Sequence, residues 1–446
     1  MTEAIRRIHA RQVFDSRGRP TVEADVELDS GVLGRAAVPS GASTGSHEAH
    51  ELRDGDPHAY AGLGVLNAVR NVRETIAPAI IGLDATDQAH LDERLRNLDG
   101  TPNLARFGAN AILAVSMAAC RAAATARRVP LYAHIAWLAA VDEPLLPLPM
   151  INILSGGAHA RRGMDIQDFL AVPVGATDLD SALAMVAAVR AAAARLLERQ
   201  GKSLLLADEG GFSPGYATTR EGLDLMVQAI ESAGLTPGAD VAIALDVAAT
   251  QLLAPDGSTY HLRRQDRVLT ASEMADEVAG WIDDYPIVSV EDALAEDDWP
   301  SWELFNARVG SHVQVLGDDL FCTNPGRIRR GIQTGAANAV LIKVNQIGTV
   351  SGALEALNLA RSAGMRTVVS ARSGETEDPF IADLATGSGA GQIKVGSLTS
   401  SERLAKYNQL VRIQEQLGVQ HFSRGVFAST RAAAAAPSDH TAQQGA

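Results

Sequence analysis

Three acidic residues in the second half of the chain each end a short run of apolar residues: Asp246, Glu291 and Asp318. Such runs predict buried strands, and the carboxyl ends of parallel barrel strands meet at one mouth. Carboxylates at close range raise one another's pKa values unless a cation lies between them. Carboxylate oxygens and water suit Mg²⁺, so the pattern predicts a magnesium site. The alternative is that each acid caps the following helix or lies in a solvated loop.

Two lysines, Lys343 and Lys394, end later apolar runs. At a barrel mouth a lysine can form a Schiff base, bind a phosphate or carboxylate, or act as a base once its pKa is lowered. A neighbouring divalent cation and a second lysine disfavour the charged form, which favours a base role. The alternative is a lysine that bridges carboxylates. Glu209 precedes Gly210-Gly211, a pair that permits close backbone approach, although an ordinary turn has the same pattern.

The spacing of these run ends indicates the elements that position them. From Glu291 onwards the intervals are 27, 25, 28 and 23 residues, each about one strand and one helix; they end at Asp318, Lys343, Ala371 and Lys394. Apolar strands that alternate with helices predict a parallel sheet covered on both faces, and this many units predict a β/α barrel.

The first part of the chain has a different pattern. Alternating apolar and acidic residues predict a half-buried strand over 22–29, and an extended run over 35–38 leads into a Gly/Ser-rich loop at 40–45. Helices are predicted around 64–76, 88–97 and 109–126. We therefore expect an α+β domain over 1–141, a barrel over 142–430 whose first residues, the proline-rich stretch 142–149, form a linker, and a disordered tail over 431–446.

Composition excludes several classes of protein. The chain has 446 residues, 46% of them hydrophobic, and a net charge of −14, so nucleic acid is not expected as a partner. Two cysteines, Cys120 and Cys322, cannot form a disulfide framework. The apolar stretch 109–126 is broken by Arg121, so no membrane span is predicted. We expect a cytoplasmic protein.

Eight short segments together resemble the enolases from about residue 5 to residue 425. They are residues 13–18, 40–45, 108–113, 208–211, 296–299, 341–349, 372–378 and 401–406, the longest reading Leu341-Ile342-Lys343-Val344-Asn345-Gln346-Ile347-Gly348-Thr349. The resemblance implies an α+β capping domain followed by an enolase-type β/α (TIM-like) barrel. It also implies Mg²⁺, dehydration of 2-phosphoglycerate to phosphoenolpyruvate, and a homodimer or homo-octamer.

The resemblance also implies metal ligands. Asp246, Glu291 and Asp318 would hold the first Mg²⁺, which neutralises the substrate carboxylate and stabilises the enolate. Ser40, on a lid loop, would supply ligands to a second Mg²⁺ when the site closes.

Catalytic and binding roles carry over in the same way. Lys343 would remove the proton next to the substrate carboxylate, which Lys394 also faces. Glu209 would help the 3-hydroxyl leave from the opposite side, and His159 lies on another closing loop. The pair Arg372-Ser373 would contact the phosphate.

Four departures from the family lie at the predicted mouth. Asp168 stands where the family has glutamate, Ala371 where it has histidine, and Ala293 where it has proline. The segment 395–400 lacks the family's proline and arginine. The metal-and-base half of the site is thus intact, while the hydroxyl and phosphate side is larger and less cationic.

These departures predict a diverged paralogue that accepts a bulkier phospho- or phosphono-carboxylate. One such relative is the carboxyphosphonoenolpyruvate synthase of phosphonate antibiotic pathways, which uses CMP-phosphonoformate. The alternatives are an ordinary enolase whose sequence has drifted, and a non-catalytic structural or binding relative.

Overall fold

The computed structural model describes residues 3–42, 44–255 and 257–428, so the predicted tail over 431–446 lies outside the described residues. The chain begins with an antiparallel sheet of three strands: β1 (Ile5–Phe14), β2 (Pro20–Leu28) and β3 (Leu33–Ala37). From Val22 onwards β2 alternates buried and half-buried side chains as predicted, because successive side chains point to opposite faces of a strand.

Five helices complete the first domain as far as it is described: α1 (Leu66–Asn71), α2 (Ala77–Ile80), α3 (Gln88–Asp99), α4 (Ala109–Ala126) and α5 (Leu131–Leu138). A π-helical turn at Val72–Ile76 joins α1 to α2. The expected α+β module is therefore present, with α4 packed on β2 and β3.

Helix α4 corrects one prediction. Among the described helices it alone is long and apolar enough to cross a membrane by length and composition, although Arg121 led us to expect no such segment. One arginine does not offset the many apolar residues of an 18-residue helix. However, 83% of α4 is buried inside the protein, which is the environment of a core helix.

The described part of the second half contains ten strands: β4 (Leu148–Ser155), β5 (Asp168–Val172), β6 (Ala242–Asp246), β7 (Tyr260–Leu262), β8 (Arg267–Leu269), β9 (Ile287–Glu291), β10 (Gln314–Gly317), β11 (Ala339–Ile342), β12 (Arg366–Ser370) and β13 (Gly391–Lys394). Eight of them close into a barrel, in the order β4-β5-β6-β9-β10-β11-β12-β13, and β7 pairs with β8 as a separate hairpin. The predicted barrel is thus confirmed.

One strand departs from the expected parallel arrangement. β5 runs antiparallel to both β4 and β6, whereas all other neighbouring barrel strands are parallel. The connection from β4 to β5 contains only a short 3₁₀ turn, Gly157–Ala160, and a chain that returns without a crossover helix pairs antiparallel. The sequence analysis placed neither β4 nor β5, and β4 begins inside the stretch that we read as a linker.

Nine helices are described in this half: α6 (Leu179–Arg199), α7 (Thr219–Ser232), α8 (Ala271–Asp284), α9 (Trp299–Val309), α10 (Pro325–Thr334), α11 (Val344–Ile347), α12 (Val350–Ser362), α13 (Phe380–Gly387) and α14 (Ser401–Leu417). Capping boxes begin α6 at Asp178, α7 at Thr218 and α8 at Thr270, and each satisfies backbone N–H groups that have no partner inside the helix.

The first turn of α12 is held by the first domain. The backbone N–H of Val350 donates to Ser116 Oγ of α4 at 3.0 Å, and that of Ser351 donates to Asp92 Oδ2 of α3 at 2.8 Å. Gln88 in turn donates to both Asp92 and Ser116. Buried side chains of the capping domain therefore satisfy the orphan donors of a barrel helix.

Candidate active site

Strand register brings four polar residues side by side at one mouth of the barrel. Ser155 pairs with Asp168, Asp168 with Asp246, and Asp246 with Glu291 across neighbouring strands. All four are buried. Asp168 therefore lies directly beside Asp246, one of the predicted metal ligands, and Glu291 lies one strand further on.

Lys394 joins the two acids that end β6 and β9. Its Nζ donates to Asp246 Oδ2 at 2.8 Å and to both carboxylate oxygens of Glu291 at 2.8 and 2.9 Å. Gln167 Nε2 also donates to Asp246, at 3.0 Å. The predicted proximity of Lys394 to the acids is thus observed, in the bridging arrangement that was the alternative to a base.

Lys343 and Asp318 form a second pair at the same mouth. Lys343 Nζ donates to Asp318 Oδ2, and Gln346 Nε2 donates to Asp318 Oδ1 at 2.9 Å. Thr323 Oγ1 accepts from the backbone N–H of Lys343 at 2.9 Å and donates to Gln346 Oε1 at 2.7 Å. The sequence analysis assigned no role to Thr323 or Gln346, although Gln346 lies in the quoted segment that contains Lys343.

The pKa values of these groups follow from their pairing. Burial would lower the pKa of Lys343, but the charge of Asp318 outweighs it and raises that pKa, contrary to the lowered value a base requires. Burial and the neighbouring Asp246 raise the pKa of Glu291 well above its ordinary value. Burial would raise the pKa of Asp246, and Lys394 lowers it overall. A base role for Lys343 thus needs another cation to engage Asp318.

The donor set fits a hard divalent cation. Among the described residues, ligand atoms of Asp292, Asp318 and Asp319 lie within 4.8 Å of one another, as do those of a second group, His159, Asp168 and Glu209. Asp292 is already engaged, because its two oxygens accept the backbone N–H groups of Asp318 and Asp319 at 2.9 and 2.8 Å. Of the three predicted ligands only Asp318 belongs to one of these groups, whereas Lys394 bridges Asp246 and Glu291. Carboxylate oxygens are the ligands that Mg²⁺ prefers.

His159, Asp168 and Glu209 form the other side of the mouth. His159 Nδ1 lies 3.0 Å from Asp168 Oδ2, and its Nε2 lies 3.7 Å from Glu209 Oε1. Burial would lower the pKa of His159, but the carboxylates of Asp168 and Glu209 raise it to about 9. His159 is therefore protonated at neutral pH. The other oxygen of Asp168 accepts from Ser155 Oγ at 2.6 Å, so this carboxylate is fully engaged.

Arg372 is held by an acid of the lid. Its Nη1 donates to Glu48 Oε2 at 2.9 Å and to Asn345 Oδ1 at 3.0 Å. Burial would lower the pKa of Arg372, and Glu48 raises it overall. A cavity of about 370 Å³ lies between this arginine and the lid residues. The carboxylate of Glu48 therefore binds Arg372, the residue that is predicted to bind the substrate phosphate.

The start of the lid is tied to the loop that carries Ser373. Ser40 exchanges two backbone hydrogen bonds with Gly374, at 2.8 and 2.9 Å, and Ser373 Oγ accepts from the N–H of Ala42 at 2.7 Å. Arg17 Nη2 donates to the carbonyl of Ser40 at 3.0 Å, a role the sequence analysis did not assign.

The hydroxyl of Ser40, a predicted ligand of a second Mg²⁺, is engaged within the first domain. It donates to Glu51 Oε2 at 3.1 Å and accepts from Arg53 Nη2 at 2.8 Å. A metal-binding role for Ser40 stays a prediction that requires these bonds to be exchanged.

Arg403 of α14 connects three loops of the mouth. Its guanidinium is buried and donates to four backbone carbonyls: Arg372 at 2.6 Å, Ser373 at 2.6 Å, Val395 at 3.0 Å and Asp208 at 3.3 Å. A planar fork with five donors suits this arrangement better than an ammonium. Arg403 thus positions the phosphate-side loops.

Arg403→Lys is expected to lower kcat/KM by about tenfold or more, because one ammonium cannot satisfy carbonyls on three loops. Mg²⁺ affinity measured by calorimetry should stay unchanged, since none of the predicted metal ligands contacts Arg403. Arg412→Lys, at an exposed position of the same helix, is the control. Equal loss of Mg²⁺ affinity in Arg403→Lys would contradict a role confined to the phosphate side.

An α+β domain that contacts the mouth of a β/α barrel, with acids and lysines at the strand ends, defines a class of barrel enzymes whose chemistry lies at that mouth. Two family models match the chain: the enolase N-terminal domain matches residues 5–135, and the enolase C-terminal TIM barrel domain matches residues 143–432. The chain therefore belongs to the enolase family.

Proposed function

We propose that this protein is a Mg²⁺-dependent enzyme that removes a proton next to the carboxylate of a small phospho- or phosphono-carboxylate. The observation that carries the proposal is the arrangement of the mouth. Two buried lysines, Lys343 and Lys394, lie in direct contact with the carboxylates of Asp246, Glu291 and Asp318.

Mg²⁺ held by Asp246, Glu291 and Asp318 would neutralise the substrate carboxylate and stabilise the enolate. Once Asp318 is engaged in this way, it no longer raises the pKa of Lys343, and the free amine can accept the proton. Lys394 faces the substrate carboxylate and neutralises part of its charge.

The opposite side of the mouth handles the leaving group. His159, held as a cation by Asp168 and Glu209, supplies a proton donor there. Glu209 accepts a hydrogen bond from Asn152 Nδ2 at 3.1 Å and keeps its orientation. Arg372 exchanges Glu48 for the substrate phosphate, since a phosphate offers the same pair of anionic oxygens.

We further propose that the substrate is larger than 2-phosphoglycerate, as in a carboxyphosphonoenolpyruvate synthase that uses CMP-phosphonoformate. Asp168 supports this proposal because it is shorter than the glutamate of the family and both its oxygens are already hydrogen-bonded to Ser155 and His159, so it reaches less far towards a 3-hydroxyl. Ala371 adds support, since a methyl group at the end of β12 offers no donor to a phosphate.

Ordinary enolase activity is the second candidate, and the intact lysines and acids favour it. A non-catalytic binding or structural role is the third. Buried charges are costly to fold, and their presence at one mouth argues against a protein without chemistry. Mg²⁺ titration separates the third candidate from the others, because absence of metal binding would favour the non-catalytic role.

The double variant Asp168→Glu/Ala371→His tests the larger substrate. We expect conversion of 2-phosphoglycerate to phosphoenolpyruvate to rise by about a hundredfold, because two dehydration-side groups return. Activity with CMP-phosphonoformate should fall, because the new side chains fill space. Steady-state kinetics on both substrates, with the two single variants as controls, provide the measurement.

The same variant should remain folded, with a stability loss of about 1–3 kcal/mol from the added volume at Asp168 and Ala371, which are both buried. A thermal melt checks this. If the unmodified protein dehydrates 2-phosphoglycerate as fast as an ordinary enolase and does not use CMP-phosphonoformate, the larger-substrate proposal is wrong.

A further inference from the structure

Three exposed arginines lie on two loops of the barrel mouth, and none of their guanidinium groups has a partner in the part of the chain that the structure describes. Arg161 and Arg162 follow β4, and Arg263 lies in the turn between β7 and β8. We call these three residues the arginine patch. In a protein with a net charge of −14, unpaired positive charge concentrated at the mouth runs against the overall balance.

The backbone of the first loop is strained where it carries the patch. Arg161 and Arg162 are consecutive non-glycine residues with φ of +52° and +62°. Each such residue costs about 1–2 kcal/mol, and strain of this kind is concentrated at ligand sites. The second loop is tied to the first by Asp165, whose two oxygens each lie 3.1 Å from the backbone nitrogen of Arg264.

The patch is connected to the predicted metal site. Arg162, Arg263 and Gln251 line one surface cavity. Gln251 Nε2 donates to Gln167 Oε1 at 2.9 Å, and Gln167 Nε2 donates to Asp246 Oδ2 at 3.0 Å. Two hydrogen bonds therefore separate Gln251, in the wall of this cavity, from Asp246.

We propose that the arginine patch binds a phosphoryl group in the part of the substrate that extends beyond the barrel, the nucleoside monophosphate portion of a nucleotide-activated donor. This inference rests on the proposed function. Guanidinium groups bind phosphoryl oxygens in pairs, and free ones at an exposed mouth require no existing ion pair to be broken.

Calorimetric titration of CMP into the Mg²⁺-loaded protein, with phosphoenolpyruvate saturating the inner site, tests the patch. We expect Arg162→Gln/Arg263→Gln to weaken CMP binding by at least about tenfold. Arg94→Gln removes an exposed, unpaired arginine of α3 and is the charge-matched control. Cytidine, which lacks the phosphate, should not bind.

Inorganic phosphate distinguishes the source of the phosphoryl group. Competition with CMP at equal affinity identifies a general phosphoryl site, and weaker competition identifies a nucleotide site. CMP binding that is absent, or equal in the wild type and the double variant, overturns the proposal. If the double variant loses CMP binding but the wild type carries out no synthesis, the arginine patch is supported as a binding site and the synthase proposal is wrong. Synthesis at the wild-type rate in the double variant supports the synthase proposal and contradicts the role of the arginine patch.

Discussion

Replacing Lys343 with alanine is expected to abolish exchange of the substrate's C2 proton with solvent, with a loss of at least about 10³-fold. Lys343 is buried at the barrel mouth, and its only described side-chain partner is Asp318, whereas Lys394 contacts both Asp246 and Glu291. Lys343 is therefore the amine that is freed to receive the proton once Asp318 binds the metal. Deuterium incorporation, followed by NMR in D₂O with Mg²⁺ present, measures this exchange directly.

The affinity for Mg²⁺ should change little in the same variant, because the predicted ligands are carboxylates. Lys202→Ala is the control, since the ammonium of Lys202 lies over the ring of Tyr216 and has no described hydrogen bond to a predicted metal ligand. Exchange at the wild-type rate in Lys343→Ala would remove Lys343 from the base role.

Asp318→Asn is expected to weaken Mg²⁺ binding by at least about tenfold and to abolish turnover at ordinary Mg²⁺ concentrations. The substitution keeps the shape of the side chain but removes one anionic ligand. It also removes the carboxylate that holds both Lys343 and Gln346, so the base loses its orientation together with the metal. Calorimetric titration of Mg²⁺ measures the first effect, and initial rates measure the second.

Asp319→Asn, at the residue that follows Asp318, is a matched control. Burial and the charge of Asp318 raise the pKa of Asp319 to about 8, so this side chain is largely neutral at pH 7 and an amide replaces it at little electrostatic cost. If Asp319→Asn weakens Mg²⁺ binding as much as Asp318→Asn does, the ion lies in the group formed with Asp292. Unchanged affinity in Asp318→Asn would place the metal away from Asp318 altogether.

The strand ends were predictable from the sequence because a charged residue directly follows a mainly apolar run there. Asp246 follows an uninterrupted apolar run, Glu291 and Lys394 follow runs that contain one polar residue each, Ser289 and Gln392, and all three are the last residues of their strands. β5 offered no such signal. Its functional residue, Asp168, comes at the beginning of the strand, because only an antiparallel strand brings its first residue to this mouth.

The features of the site that could not be predicted from the sequence depend on contacts between distant segments of the chain. Glu48 and Arg372 are 324 residues apart, and no local pattern relates a lid acid to a barrel arginine. The raised pKa of Lys343 is of the same kind, since it depends on which carboxylate lies nearest. Gln346 could have been found, because an amide three residues after a candidate base can reach the same acid when a helical turn follows.

Because Ser116 and Asp92 of the first domain cap α12 of the barrel, we expect the two domains to be inherited together. A barrel transplanted onto another first domain would leave two buried N–H groups at the start of this helix unpaired unless the new domain offered acceptors at the same places. Because α12 follows Lys343 by only seven residues, we expect such a mismatch to disturb the position of Lys343 as well. Recombination between relatives should therefore succeed only where the exchanged half brings its own hydroxyl and carboxylate to this junction.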